Sequence, residues 1–205
     1  SESFVKNAGH PNGLNQFHLT PLFDIASNVY QYCVIQPQKH QDEVGALLFM
    51  LAWYDFNTPT LIIADRGFEA YEVIAAFQEK ANAAFLIRVR QNQSAMREIQ
   101  KLPQQELDRD LNFYVTTSQT NEAKASGHVI IQKRKERALV PPPPFGRKPD
   151  FSKKYQIKIR VVRFLLSTGE YETLITNLPR RITLAQIREL YHARWSIETY
   201  FRNLK

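Results

Sequence analysis

Apolar and polar positions alternate from Gln16 to Phe23 and again from Val29 to Ile35. A period of two predicts half-buried strands. Asp24-Ile-Ala-Ser-Asn28 between them carries turn chemistry, so the two segments are expected as an antiparallel hairpin, closed off by Pro37. Residues 1–15 are polar, with His10-Pro-Asn-Gly13 as turn chemistry. The period then changes. Val44, Leu47, Leu48 and Leu51 recur at helical spacing behind Asp42 and Glu43, carboxylates suited to the first turn of a helix. That helix is expected to reach about Tyr54 and to break at Asn57-Thr-Pro59. Thr60-Leu-Ile-Ile-Ala64 is short and wholly apolar, the type of a central strand buried on both faces. Asp65-Arg-Gly-Phe68 follows, then a helix over about 69–80 and a strand over Ala84–Val89. Hairpin, helix, strand, helix, strand predicts a mixed α/β sheet with antiparallel strands at one side.

The pattern loosens from residue 91. Glutamine and charge dominate up to Asp110, and short strands are expected at Leu111–Thr117 and His128–Gln132. Lys133-Arg-Lys-Glu-Arg137 is basic, and Pro141–Pro144 is a polyproline stretch expected to be extended. Strands recur over Tyr155–Leu166 and Tyr171–Thr176, with Gly169 marking the turn between them. The chain is therefore divided into a first core part (1–90), a β-rich insertion (91–176) and a helix that returns to the core (177–205). Thr183-Leu-Ala-Gln186 fits the capping box that would start this helix.

Placed on one continuous helix at about 100° per residue, Tyr191, Arg194, Glu198 and Lys205 fall within a wedge of about 60°. Arg202 lies beside them, and Ala193, Ile197, Phe201 and Leu204 form an apolar flank. On spacing alone this is an amphipathic helix with a solvated, salt-bridged face. The order of residues adds to that. Tyr191, two residues, Arg194, three residues, Glu198, six residues, Lys205 resembles the Y-R-E-K signature of DDE transposases of the bacterial insertion-sequence-four family. The frame around it is similar too: Thr176-Asn177-Leu178, a short link, and a helix carrying Arg194-Trp195 and Ile197-Glu198. Ile62-Ile-Ala-Asp65-Arg-Gly-Phe68 resembles the second-aspartate motif of the same family.

The resemblance implies a ribonuclease H-like α/β fold, a mixed sheet flanked by helices and interrupted by a β-rich insertion. It implies cleavage at transposon ends, followed by strand transfer into target DNA. Asp65 and Glu198 would be the catalytic, metal-binding carboxylates for Mg²⁺, with Mn²⁺ as substitute. Tyr191, Arg194, Arg202 and Lys205 would contact the DNA backbone. Double-stranded DNA, as transposon ends and target, would be the partner, a homodimer would act on paired ends, and the setting would be cytoplasmic and nucleoid-associated. The family's first aspartate precedes the hairpin, and Asp24, the one aspartate before residue 42, reads as a turn residue. The chain, which begins at Ser1 and ends inside a helical pattern, is thus expected to be a fragment lacking that first aspartate. Asp65 by itself also fits a turn cap, with Gly67 supplying the bend. The competing reading is an inactive transposase remnant that only binds DNA.

Composition changes this picture little. Lys and Arg number 27 against 20 Asp and Glu, a charge of +7 that leans toward a polyanion partner. The five histidines show no shared ligand spacing, so no zinc site is expected. Cys33, the single cysteine, is expected to pack as a small hydrophobe. No apolar run is long enough to span a membrane. Arg88 and Arg90 end a strand near Asp65 and face either the site or solvent, the basic run at 133–137 suits phosphates or a solvated edge, and Trp195 is expected to pack against the insertion.

Overall fold

The structure, a computed structural model, describes residues 3–54, 56–90, 94–132, 149–195 and 197. In chain order the elements are β1 (Phe4–Asn7), β2 (His10–Asn15), β3 (Phe17–Asp24), β4 (Val29–Pro37), α1 (Glu43–Trp53), β5 (Thr60–Ala64), α2 (Tyr71–Glu79) and β6 (Ala83–Arg88). They continue as α3 (Arg97–Gln100), β7 (Leu107–Thr116), α4 (Asn121–Ala125), β8 (Val129–Ile130), β9 (Tyr155–Leu165), β10 (Tyr171–Thr176) and α5 (Leu184–His192). The class is mixed α/β. Six strands form one mixed sheet in the order β5-β6-β10-β9-β7-β8, and β1-β2 and β3-β4 are separate antiparallel pairs.

The expected β3-β4 hairpin is present. Asp24 closes it as a turn residue, accepting from the Ala26 amide at 2.9 Å and the Ser27 hydroxyl at 2.6 Å. Residues 1–15 supply β1 and β2, and His10-Pro-Asn-Gly13, expected as a turn, lies within β2. Their polarity hid a ladder whose bonds are backbone bonds. Gly13 at φ +79° belongs to it, and a Cβ there would lie 2.2 Å from the Phe4 ring. Cys33 is exposed and not packed as expected. In β4 it alternates with the buried Val34 and Gln36, so it points with Ile35 to the outer face of the hairpin.

β5 was expected to be central. It is buried on both faces, but it stands at the end of the six-stranded sheet. Its run is apolar because two layers cover it. Ile62 and Ala64 join the core beneath α1 and α2, and Leu61 and Ile63 pack with Leu86, Leu174, Ile187 and Tyr191 on the α5 side. Its partner β6 is the inner strand: Phe85, Leu86 and Ile87 are each 0% exposed, which is why this sheet has cores on both faces. β5 and β6 run parallel with α2 as the crossover, and Asp65 follows the last paired residue, Ala64, opposite Ile87.

The strands after residue 91 extend this same sheet. β10 pairs antiparallel with β6, β9 with β10, and β7 with β9. Asn177 continues the β6-β10 ladder with its side chain, accepting from the Phe85 amide at 2.9 Å and donating to the Ala83 carbonyl at 3.3 Å. The basic run at 133–137 and the polyproline stretch lie outside the described residues.

The capping box forms as expected: the Thr183 hydroxyl accepts from the Gln186 amide at 3.3 Å, and the Gln186 side chain accepts from the Thr183 amide at 2.9 Å. The link before α5 is held from below. Arg160 on β9, 4% exposed, donates to both oxygens of Asp108 at 2.8 and 2.7 Å, and its remaining nitrogen donates to the Pro179 and Ile182 carbonyls at 3.0 and 2.8 Å. Arg180 adds ion pairs to Asp108 and Asp110, both at 2.8 Å. The continuous helix expected over 191–205 is interrupted. α5 ends at His192, and Ala193 and Arg194 form a turn closed by the Arg194 amide on the Tyr191 carbonyl at 3.1 Å.

Candidate active site

Asp65 sits at the carboxyl end of β5, where the chain turns into a short 3-10 segment, Arg66–Phe68. The turn is made by the backbone: the Phe68 amide donates to the Asp65 carbonyl at 3.0 Å, and the Asp65 side chain caps nothing. Gly67 has no positive φ, so the glycine-bend reading of this turn does not apply. The Asp65 Oδ1 is buried, with no hydrogen-bond partner among the described residues. A buried carboxylate oxygen left without a donor is costly, and folded proteins keep few of them unless a ligand or ion completes the site.

The next turn is tied to the loop after β6. Glu69, 7% exposed, accepts from the Arg90 amide at 3.1 Å and from the Ser94 hydroxyl. Tyr71 donates to Glu98 at 2.8 Å, and burial with that carboxylate pushes the phenol well above its ordinary range. Asp65 is thereby carried on a short segment fixed at both ends.

Tyr191 comes from α5 on the opposite layer. The sequence pattern put it on a polar edge, but its ring is buried at 4% exposure, within the cluster that includes Ile187. Its hydroxyl is also buried without a partner among the described residues. Burial pushes its pKa up to about 12. The Arg194 cation pulls the other way, Asp65 and Glu172 raise it further, and Arg88 lowers it. One phenol thus senses two carboxylates and two guanidinium groups. The Arg194 guanidinium carbon lies 5.7 Å from the Tyr191 ring centre and 4.9 Å from that of Trp195, a cation–π contact with each. Trp195 is 53% exposed and stacks on Arg194, where packing against the insertion was expected.

Of the sequence-predicted residues, Asp65, Tyr191 and Arg194 are brought together from two layers. Glu198, Arg202 and Lys205 lie outside the described residues. Arg88 belongs to the site, with its Nε 3.1 Å from Glu172, whereas Arg90 is exposed. Glu172 was missed by the sequence reading. It stands on β10, and only the β6-β10 register, Leu174 opposite Arg88, brings it near.

A divalent cation takes several hard oxygen ligands. The orphaned Asp65 oxygen is a donor of that kind, so this residue fits. Among the described residues no group of three His, Cys, Asp or Glu side chains is close enough to hold an ion. Two open surface cavities, about 330 Å³ beside the start of β5 and β6 and about 450 Å³ between the end of α2 and the start of β9, do not include Asp65. Among the described residues no helix is long and apolar enough to cross a membrane.

Fold and site together define a mixed α/β protein with an acidic group at a strand end and a buried tyrosine that senses that group and two arginines. The sequence model of the family described as "Transposase DDE domain" matches residues 3–205, and the chain belongs to that family. No protein of curated function matches it.

Proposed function

We propose that this chain is the catalytic domain of an insertion-sequence transposase of ribonuclease H-like fold. It would cleave DNA at the transposon ends and transfer the freed strand to target DNA, with divalent cations. The observation that carries the reading is the buried Asp65 oxygen at the end of β5, without a hydrogen-bond partner among the described residues and within electrostatic reach of the Tyr191 phenol from another layer. Asp65, with Glu198 by resemblance to the family signature, would hold Mg²⁺ or Mn²⁺. Such ions, when bound, stabilise charge on the attacking and leaving oxygens of a phosphodiester.

The protein's own groups have separable tasks. Tyr191, with its pKa pushed up to about 12, stays protonated at neutral pH and offers a hydrogen bond to a phosphate oxygen. Arg194, in cation–π contact with two rings, offers a planar fork to the same backbone, as Arg88 does from β6. Arg202 and Lys205 extend that contact by resemblance. Phosphate contacts of this type position a duplex without reading its sequence.

The test is nicking of plasmid DNA carrying the element ends, with Mg²⁺ or Mn²⁺, by this chain and by one extended N-terminally through a further strand. Cleavage lost in Asp65→Asn and in Glu198→Gln, with DNA binding kept, supports the reading. Cleavage retained in either variant refutes the assignment. The second reading, DNA binding without cutting, is favoured by the +7 charge. It would be established by salt-dependent binding with no cleavage from either form.

A further inference from the structure

Glu172 and Arg88 are diagonal neighbours on the α5-facing side of the β6-β10 ladder. Leu174 pairs with Arg88, and the Val89 amide prolongs the ladder to the Thr173 carbonyl at 2.9 Å, so residues 172 and 88 project to one face. That face also carries Leu86 and Leu174, against which Tyr191 packs. The Glu172 side chain is 12% exposed and that of Arg88 35%, with the Arg88 Nε 3.1 Å from Glu172 Oε1. The carboxylate is thus the sunken partner and the guanidinium the one that reaches solvent. The ion pair is made at the Nε end of the guanidinium, and a planar fork of five donors can serve a second oxyanion as well.

We propose that Glu172 is a positioning residue for DNA: it fixes the Arg88 guanidinium by its Nε, so that the outer edge meets a phosphodiester oxygen beside Asp65 and Tyr191. This rests on the DNA-processing function proposed above. It assigns part of the site to β10, in the strands beyond residue 91. It also predicts a sign opposite to simple electrostatics. A carboxylate near a polyanion repels it, so its removal should ordinarily tighten binding. A positioning carboxylate weakens binding when removed.

The experiment measures fluorescence anisotropy of labelled duplex DNA carrying the element end, across a salt series, with thermal melts to show that each variant folds. Glu172→Ala is expected to bind about five- to tenfold more weakly, in the range of one lost phosphate contact. Glu172→Gln keeps a side-chain oxygen beside Nε and is expected to bind as well as the wild type or better. The double variant Arg88→Ala/Glu172→Ala is expected to match Arg88→Ala alone, because two residues acting as one unit are not additive. Glu172→Ala binding equally or more tightly, or adding its loss to that of Arg88→Ala, overturns the proposal. So does a loss of Mn²⁺ affinity in Glu172→Gln, which would make the residue a cation ligand. If Glu172→Ala does not fold, Arg88→Lys serves instead. Lysine cannot hold Glu172 and present a second edge, and wild-type binding by it overturns the proposal. Wild-type protein that shows no salt-dependent DNA binding overturns the function reading itself. In that case ¹⁵N relaxation of the Arg88 Nε–H still separates the two ideas: unchanged order in Glu172→Ala overturns positioning by itself.

Discussion

Removing Asp108 tests what holds α5, and with it Tyr191, over the sheet. Arg160 is 4% exposed and has four described contacts: two with Asp108, and one each with the Pro179 and Ile182 carbonyls. In Asp108→Ala the guanidinium stays buried but loses its carboxylate. Leaving one member of a buried ion pair uncompensated costs about 3–5 kcal/mol. The Asp108 side chain is 30% exposed, so water can reach the vacated place and offset part of that cost. The lost pair to the half-exposed Arg180 contributes less than about 1 kcal/mol. The expected loss is therefore about 2–3 kcal/mol in urea unfolding. Arg160→Met removes the buried charge together with its need for a partner. In that background Asp108→Ala should cost less than about 1 kcal/mol, leaving a coupling of at least about 1 kcal/mol. Hydrogen exchange should also show the α5 amides losing protection in Asp108→Ala before those of β6. A single-variant cost under about 1 kcal/mol, or strict additivity with Arg160→Met, would refute the view that this carboxylate holds the clamp.

The same carboxyl lies below its usual range, first through its hydrogen bonds from Arg160. A depressed folded pKa contributes stability above the unfolded value of about 3.9, which is lost as pH falls through the folded one. Acid titration of unfolding should therefore show a loss below about pH 4 that is smaller in Asp108→Asn. Tyr191 has the opposite sign: its pKa, pushed up to about 12, lies above the unfolded value, so stability should fall between about pH 10 and 12, and less steeply in Tyr191→Phe. Ile187→Ala, at a fully buried position on the sheet-facing side of α5, should cost about 2–5 kcal/mol by thermal or urea unfolding. Thr183→Ala, which removes the capping-box hydroxyl, should cost about 1 kcal/mol in the same measurement.

Local pattern revealed what is local. The β3-β4 hairpin, α1, β5, α2 and β6 each carry their period in consecutive residues, and the Thr183–Gln186 box marks the start of α5 to the residue. β1 and β2 were illegible because their ladder uses backbone groups under polar side chains. The rank of β5 in the sheet was illegible for a different reason. Two-sided burial comes from α1 and α2 on one face and α5 on the other, and a strand at a sheet end can have both. Tyr191 looked polar because a helical wheel assumes an unbroken helix, and the chain turns at Ala193 and Arg194.

The site divides along the same line. Asp65 was legible because strand end, acid and turn are adjacent in the chain. Its chemistry was not, since a turn aspartate and a ligand aspartate look alike until the side chain is seen to cap nothing. Glu172 could not be found from spacing at all, because it meets Arg88 through a register set 84 residues away in sequence, 172 − 88. That distance has a physical consequence. The strands from β7 onward share a sheet with β5 and β6, so any slip of β10 by one residue would turn Glu172 and Leu174 to the other face and break both the ion pair and the α5 core. Thr176 and Asn177 oppose such a slip by bonding the β6 backbone with their side chains, the Thr176 hydroxyl to the Phe85 carbonyl at 2.5 Å and Asn177 to residues 83 and 85. The threonine and asparagine in the frame of the family likeness therefore also have a mechanical reason to stand where they do: they fix the register on which the Glu172–Arg88 pair depends.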